Sequence, residues 1–244
     1  DVLEDAALRL GLGEHRRTQA VGVDGDHLAG VDLAHEAGAH DVERGRLARD
    51  DPAAVEAAEN WGTYVTVHAF TPAAIQRSIA AGVQCIEHGF LMDDEAIQML
   101  VDNDRFLVTT RRLAQAMDVS KAPKALQDKA AEMFPKAETS IKAAYEAGVK
   151  IAVGTDAPAI PHGRNADELV TLVEWGMPPD AVLRAATVVA ADLVRMPNLG
   201  RIAEGYLADV IAVPGDPLAD ITVTQRVNFV MKGGKVFKDD ANKD

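Results

Sequence analysis

Three short apolar runs of this sequence each end in a residue that can bind a metal ion. In chain order these residues are His68, His88 and Asp156. Segments with helical periodicity lie between the runs, and parallel strands joined by helices gather the residues at their C-terminal ends on one side of the sheet. Two imidazoles and a carboxylate that meet there predict a metal site, in which Asp156 can also take a proton from metal-activated water.

From residue 53 onward, helix and strand patterns alternate. The predicted strands cover residues 63–69, 84–88, 105–110 and 150–155. Helices are predicted over residues 53–60, 73–81 and 93–103, and another begins at Pro135, carries Ile141, Ala144 and Tyr145 inward, and stops at Gly148. The first three strands recur about every 20 residues, which is typical of compact βα units.

The chain after Asp156 has a different pattern. A capping box formed by Asn165 and Glu168 predicts the start of a helix, and Pro178-Pro179 opens another. The second helix is predicted to direct one apolar face inward, made of Val182, Leu183, Ala186, Ala190 and Leu193. Short strands are predicted over residues 208–213 and 221–223, followed by a hairpin over 226–238 around Gly233-Gly234.

Residues 1–52 differ from everything that follows. They contain four of the seven histidines and lack Phe, Tyr, Trp, Met, Ile and Lys. Several of their side chains resemble metal ligands by type alone: Asp24, Asp26, His27, His35 and His40. Their spacing fits neither a helix face nor a strand end, and few large apolar residues surround them. We therefore expect this segment to be weakly ordered and to add no ligand to the site.

Net charge and cysteine content bear on the possible binding partners and on the role of the single cysteine. A formal net charge of −13 argues against a nucleic-acid or anionic-membrane surface. A small-molecule substrate is compatible with this charge, and a homo-oligomer stays open. The single cysteine, Cys85, lies in an apolar run and is expected to be a buried small side chain. No run reaches 18 apolar residues and the first residues are unlike a signal peptide. A cytoplasmic location is therefore favoured, and a periplasmic or secreted location is the alternative if a signal peptide precedes this sequence.

Each candidate ligand also has a purely structural interpretation. A histidine at the end of a strand is often only a hydrogen-bonded residue, and Asp156 before a turn can simply cap the next segment. Gly89 permits a sharp turn beside His88, while Glu87 alternates away from it and fits a supporting role. The metal interpretation is favoured because all three candidates end their strands at one level of a repeated architecture.

Several short motifs follow one another in a characteristic order. They are residues 65–69 (VTVHA), 86–89 (IEHG), 153–157 (VGTDA), 162–163 (HG), 165–169 (NADEL), 183–187 (LRAAT), 199–205 (LGRIAEG), 208–211 (ADVI) and 215–218 (GDPL). In this order they resemble the C-terminal half of an amidohydrolase-superfamily enzyme, of the imidazolonepropionase-like and Xaa-Pro dipeptidase-like branch. The resemblance extends from about residue 53 to residue 238.

The resemblance implies an α/β fold: a metal-dependent (β/α)8, TIM-like barrel with a small β-sandwich formed from both chain ends. Residues 53–197 would form half of the barrel, and residues 198–244 part of the sandwich. His68 and His88 would be metal ligands after barrel strands five and six. Asp156 would be a ligand and proton shuttle after strand eight. The implied cofactor is a divalent metal, zinc in most relatives, with one or two ions in a complete enzyme.

One departure from the family pattern concerns the segment before residue 53. The family's His-x-His pair after strand one and its strand-four residue, a carboxylated lysine in many members, have no match there. No lysine precedes Lys121. Barrel strands one to four are therefore expected to be missing, which would leave two unpaired sheet edges.

The implied activity is metal-dependent hydrolysis of an amide-type C–N bond, in a dipeptide or related amide. His162 and Arg164 are expected to line the substrate mouth, where Arg164 would pair with a substrate carboxylate; the alternative is a solvated loop. Two further alternatives remain for the chain. One is a mononuclear hydrolase or deaminase of cyclic amides or amidines, and the other is an inactive truncated product or subunit.

Overall fold

The computed structural model describes residues 21–23, 52–110, 123–157 and 160–240. The chain divides into two compact units, the first of which contains residues 18–109 and 118–151, and the second residues 1–17, 110–117 and 152–244. Among the described residues, no helix combines the length and apolar character needed to cross a membrane. The predicted domain boundaries near residues 53 and 198 remain predictions.

The first unit is built on a parallel sheet whose strands follow one another in chain order. They are β1 (Val21–Val23), β2 (Val65–Ala69), β3 (Cys85–His88), β4 (Phe106–Thr109) and β5 (Lys150–Val153), of which the last two residues begin the second unit. The predicted order of the four strands β2 to β5 is confirmed. The sheet is consistent with the predicted α/β class, whereas a barrel numbering of its strands stays a prediction.

Strand β1 lies within residues 1–52, where no strand was predicted. It runs parallel to β2, with Val21 opposite Val65 and Val23 opposite Val67. Over this stretch β2 is therefore not the unpaired edge that was expected. The apolar periodicity of the sequence did not predict this strand, because the pairing of three residues rests on backbone N–H and C=O groups, and every residue except proline supplies both. The other expectations about residues 1–52 lie outside the described residues.

Helices alternate with the strands of the first unit. They are α1 (residues 52–60), α2 (Pro72–Ala80), α3 (Asp94–Asp102) and α4 (Lys124–Glu146). Polar side chains cap two of them: Thr71 accepts a hydrogen bond from the Ala74 amide, and Asp93 accepts one from the Ala96 amide at 2.8 Å. These caps fix where α2 and α3 begin, close to the predicted positions.

Helix α4 corrects one prediction. It begins at Lys124 and contains Pro135 in its interior, whereas Pro135 was expected to start it. Proline removes one helical hydrogen bond, but its φ is already helical, so a long helix that packs well can continue through it. The inward positions are confirmed for Ile141 and Ala144, which are buried, and Tyr145 is half-buried.

Apolar side chains from sheet and helices form the core of the first unit. Residues that are at most 2% exposed include Val67, Ile75, Ile79, Ile86, Leu100, Leu107 and Ile141. Burial of a single side chain of this size contributes about 1.5–3 kcal/mol. The core therefore holds the C-terminal ends of β2 and β3 in fixed register.

The second unit begins with the end of β5 and continues into helices. They are α5 (Ala166–Glu174), α6 (Pro179–Arg184), a π-helical segment (Ala185–Val189) and α7 (Ala190–Leu193). The predicted start of α5 is confirmed, but the capping box is wrong. The side chain of Asn165 caps no helix amide and donates instead to Oγ1 of Thr155 at 3.4 Å, and Glu168 is fully buried.

The π-helical segment interrupts what was predicted as one regular helix. A π turn holds one extra residue, so the buried face moves one position along the sequence. Ala191 is buried after the segment, where Ala190 had been expected. Gly200, with φ of +81°, packs against this turn: a Cβ there would lie 2.7 Å from the carbonyl oxygen of Thr187.

A three-stranded antiparallel sheet completes the second unit. Its strands, in sheet order, are β6 (Val210–Ala212), β7 (Phe229–Lys232) and β8 (Lys235–Asp239). The predicted hairpin is confirmed, with positive φ at both Gly233 and Gly234. The predicted strand over residues 221–223 is wrong, because Ile221–Arg226 is a 3-10 helix that the carboxylate of Asp220 caps at the amide of Thr222.

Candidate functional site

The C-terminal ends of β2 and β3 bring His68 and His88 together. Nδ1 of His68 lies 2.8 Å from Nε2 of His88, which is a hydrogen bond between the two rings. The ring centroids are 4.9 Å apart with an interplanar angle of 24°. The sequence-based expectation that these two imidazoles meet agrees with this geometry.

The backbone of His88 departs from strand geometry. In parallel strands, residues opposite each other share a face and successive residues alternate. Because the register pairs His68 with Glu87, a regular strand would direct the side chain of His88 to the other face. His88 instead has φ of 77°, in the left-handed region. The alternation ends at this residue, and the imidazole reaches His68.

Aromatic side chains enclose the His88 ring. Phe70 stacks on it, with centroids 4.7 Å apart and an interplanar angle of 8°, and Phe90 lies tilted against it at 5.7 Å. Phe90 also meets Phe70 and Phe134 edge to face. Only 4% of His88 remains exposed. The imidazole therefore packs against aromatic rings and is hydrogen-bonded to His68.

These surroundings keep His88 neutral. Burial, and after it repulsion from a charged His68, lower the pKa of His88 to about 3. An imidazole binds a metal ion only in its neutral form. His88 is thus ready to act as a ligand throughout the neutral and mildly acidic pH range.

The pair fits a metal ion in part. Two imidazole nitrogens that face each other are donors that zinc favours, and an ion bound by both would replace the proton that they share. A catalytic zinc site takes three protein ligands. Within the described ranges, no group of three or more His, Cys, Asp or Glu side chains is arranged to hold a metal. That His68 and His88 supply two positions of such a site remains a prediction.

Asp156, the third predicted ligand, belongs to the second unit. It follows β5, its side chain is exposed, and its φ is 55°. A non-glycine residue in the left-handed region is uncommon, and such residues concentrate at turns and functional sites. The backbone at Asp156 and the backbone at His88 thus share an unusual conformation at the ends of their strands. The meeting of Asp156 with the two histidines remains a prediction.

The loop after Asp156 carries the predicted substrate residues His162 and Arg164, both exposed. Nε of Arg164 donates to Oδ2 of Asp167 at 2.7 Å, and its Nη2 lies 2.6 Å from the same oxygen. Asp167 is buried and its other oxygen accepts a hydrogen bond from Gln225 at 2.8 Å. Arg164 is thus fixed to the start of α5, where its partner is a carboxylate of this chain.

Two aromatic residues of the site were not identified from the sequence. Phe70 and Phe90 each stand two residues after a histidine, in residues 68–70 (HAF) and 88–90 (HGF). This repeated His-x-Phe pattern at two strand ends is the signal that would have revealed them. Periodicity alone did not, because both residues follow the strands, where the backbone turns.

Comparisons with known proteins agree with this architecture. A model of the Amidohydrolase family matches residues 52–237. Ochratoxinase from Aspergillus niger is 36% identical over 193 residues, which cover 75% of this chain and 40% of that protein.

Solved structures of related enzymes are also similar to this chain. A Xaa-Pro dipeptidase with methionine bound in its active site is 40% identical, with a TM-score of 0.74 over 78% of this chain and 48% of that chain. A prolidase complexed with N-methylphosphonate-L-proline is 33% identical, with a TM-score of 0.73 over 79% of this chain and 49% of that chain. The present chain thus spans about half the length, or less, of these relatives.

Proposed function

Because this chain belongs to the amidohydrolase family, we propose that it serves in the metal-dependent hydrolysis of amide-type C–N bonds. The observation that carries the proposal is the pair of imidazoles at the ends of β2 and β3, 2.8 Å apart, of which His88 is buried and His68 is half-buried. A neutral histidine held in an apolar pocket beside a second histidine suits a metal ligand better than a surface residue.

His68 and His88 would hold the ion through Nδ1 and Nε2. When bound, a divalent metal such as zinc lowers the pKa of water toward ~7 and polarises the scissile carbonyl. The contribution of this chain is to present the two nitrogens side by side, with His88 in neutral form, and to exclude water from His88 with Phe70 and Phe90. The stacked phenyl ring also limits rotation of the His88 imidazole.

Asp156 would act as the general base. Its carboxylate would accept a proton from the attacking water and return it to the departing amine, so that one group serves both halves of the reaction. An exposed carboxylate that follows a strand in left-handed conformation is suited to this because solvent can exchange with it between turnovers.

A dipeptide or related amide is the proposed substrate class. Two of the solved relatives are described as a Xaa-Pro dipeptidase and a prolidase, and both are at least 33% identical to this chain. Arg164 and His162 would lie at the substrate mouth. Asp167 already engages two nitrogens of Arg164, but a guanidinium has five N–H donors, so others can bind a substrate carboxylate.

One observation favours a second candidate, in which the chain is not catalytic by itself. Only two imidazoles are brought together in the part of the chain that the structure describes, and no three-ligand group is formed there. In that case the chain would contribute ligands to a site that further segments or a partner complete.

A chimera tests the proposed function. Residues 52–240 would replace the matching segment of the related Xaa-Pro dipeptidase, and hydrolysis of Xaa-Pro dipeptides would be measured with zinc and with a chelator. We expect zinc-dependent hydrolysis that Asp156→Asn abolishes and that Asp239→Asn, an exposed carboxylate on β8, leaves unchanged. A folded chimera that hydrolyses no amide, or one whose activity survives Asp156→Asn, would contradict the proposal. The chain of 244 residues, assayed beside it, decides whether it is active alone.

A further inference from the structure

The turn that follows β3 is held from two sides. On one side the amide of Gly89 donates to the carbonyl of Ala69 and the amide of Leu91 donates to the carbonyl of Phe70, both at 3.0 Å. On the other side stands Ser140, a buried residue of α4. Together these contacts tie residues 89–92 to β2 and to α4.

Ser140 makes two hydrogen bonds with this turn. Its Oγ donates to the carbonyl oxygen of Gly89 at 3.1 Å and accepts from the amide of Met92 at 3.0 Å. The partners lie 51 and 48 residues away in the sequence. One hydroxyl thus satisfies a donor and an acceptor of a buried turn, which otherwise would lack partners in an apolar environment.

The conformation that these bonds support is a strained one. His88 and Gly89 both have positive φ, 77° and 61°, and the first of them is not a glycine. Such conformations persist only where the surrounding structure holds them. The direction of the His88 side chain depends on this turn, since a regular strand would have placed it on the opposite face from His68.

We propose that Ser140 is a positioning residue for His88, which acts through the turn of residues 89–92 to keep Nε2 of His88 facing Nδ1 of His68. Its relevance to metal binding rests on the proposed function, whereas its effect on the geometry of the two imidazoles does not. The hydrogen bonds of Ser140 go to the backbone of the turn and not to either ring, so it acts through that backbone.

The experiment uses the whole chain with three substitutions at this position and a matched control. Ser140→Ala removes both hydrogen bonds, Ser140→Cys keeps a group of similar size with weak bonding, and Ser140→Thr restores the hydroxyl. Thr139→Ala removes an exposed hydroxyl from the neighbouring position of the same helix and serves as the control. Ser140→Cys also covers the case in which Ser140→Ala fails to fold.

The first readout is the NMR spectrum of the imidazole nitrogens in the metal-free chain. We expect Ser140→Ala and Ser140→Cys to shift the Nε2 resonance of His88 and weaken the hydrogen-bond signature of the His68–His88 pair. Ser140→Thr and Thr139→Ala should leave both close to those of the unaltered chain. Unchanged His88 resonances in folded Ser140→Ala or Ser140→Cys would overturn the proposal, as would equal shifts in Thr139→Ala.

The second readout is the affinity for Co²⁺, measured by competition with a chromophoric chelator. Loss of a group that orients a ligand typically lowers metal affinity by about 10–100-fold, and we expect that loss for Ser140→Ala with recovery in Ser140→Thr. If the unaltered chain binds no Co²⁺, the metal function fails while the imidazole resonances still decide the role of Ser140. Shifted resonances with unchanged Co²⁺ affinity would contradict its role in metal binding.

Discussion

Nδ1 of His68 and Nε2 of His88 lie 2.8 Å apart although the strand register sets His68 opposite Glu87. The left-handed backbone of His88 makes this contact possible, Phe70 stacks on the His88 ring, and Ser140 is hydrogen-bonded to the turn that follows His88. The histidine pair is therefore a product of tertiary structure, since strand periodicity alone would have separated the two rings.

Acid should destabilise the metal-free chain through His88. Its pKa is about 3 in the folded state and near 6.5 when unfolded, so between these values only the unfolded chain takes up this proton. The stabilisation is complete above pH 6.5 and is lost as the pH falls toward 3, by about 1.4 kcal/mol per pH unit. Urea unfolding at several pH values measures this slope. His88→Gln should reduce the pH dependence of the unfolding free energy, whereas His162→Gln, at an exposed position, should leave it unchanged. Equal slopes in the unaltered chain and both variants would refute the attribution of this pH dependence to His88.

Gly200→Ala should destabilise the second unit more than Gly205→Ala. Both glycines have φ of +81°, so the cost of a side chain in left-handed conformation, about 1–2 kcal/mol, is the same for both. A Cβ at Gly200 meets the backbone of Thr187 at 2.7 Å, whereas at Gly205 it meets nothing within 4 Å. The difference between the losses of unfolding free energy in the two variants therefore measures the cost of the close contact at Gly200, which we expect to be about 1–3 kcal/mol. Chemical unfolding of the two variants measures it, and equal losses would exclude a tight contact at Gly200.

Zinc should bind the chain weakly. Two imidazoles come together in the described residues, whereas high-affinity sites use three or four protein ligands, so we expect a Kd above about 1 μM. Isothermal calorimetry checks this on the purified chain. His88→Ala should abolish binding, and His162→Ala should preserve it. Stoichiometric binding well below micromolar would mean that further ligands, from Asp156 or from residues outside the described ranges, complete the site.

Arg164→Ala in the chimera should raise KM for substrates with a free carboxylate. Loss of a charge-assisted hydrogen bond to the substrate carboxylate corresponds to about a tenfold increase in KM. The KM of substrates in which a neutral amide replaces the carboxylate should change little. Arg201→Ala, at another exposed arginine, provides the control. Steady-state kinetics on matched carboxylate and amide forms of one dipeptide measure the effect. An equal increase for both forms would assign Arg164 to the support of its loop through Asp167.

The order of elements in the first unit was predictable from sequence because its helices and strands alternate with regular apolar spacing and clear caps such as Asp93. The candidates His68 and His88 were predictable because each ends such a strand. Local sequence did not reveal how the two rings meet, because the positive φ of His88 depends on contacts with Ser140. Ser140 lies 51 residues from the Gly89 carbonyl and 48 residues from the Met92 amide to which it is hydrogen-bonded.

The incorrect secondary-structure predictions also arose from interactions that the apolar spacing of the sequence does not reveal. Pro135 looked like a helix start, but packing carried α4 through it. Residues 221–223 are β-branched and looked like a strand, yet the Asp220 carboxylate captures the Thr222 amide and starts a helical turn. Strand β1 was missed because its pairing with β2 uses backbone groups alone.

The packing of Gly200 on the π-helical turn links two changes that would otherwise be independent in evolution. Deleting one residue from 185–189 would restore ordinary helical geometry and remove the widened backbone that Gly200 now meets at 2.7 Å. A lineage that lost this extra residue would no longer be constrained to glycine at position 200 by that contact, whereas a lineage that keeps the π-helical turn should also keep the glycine. The length of this helix and the identity of residue 200 should therefore be inherited together.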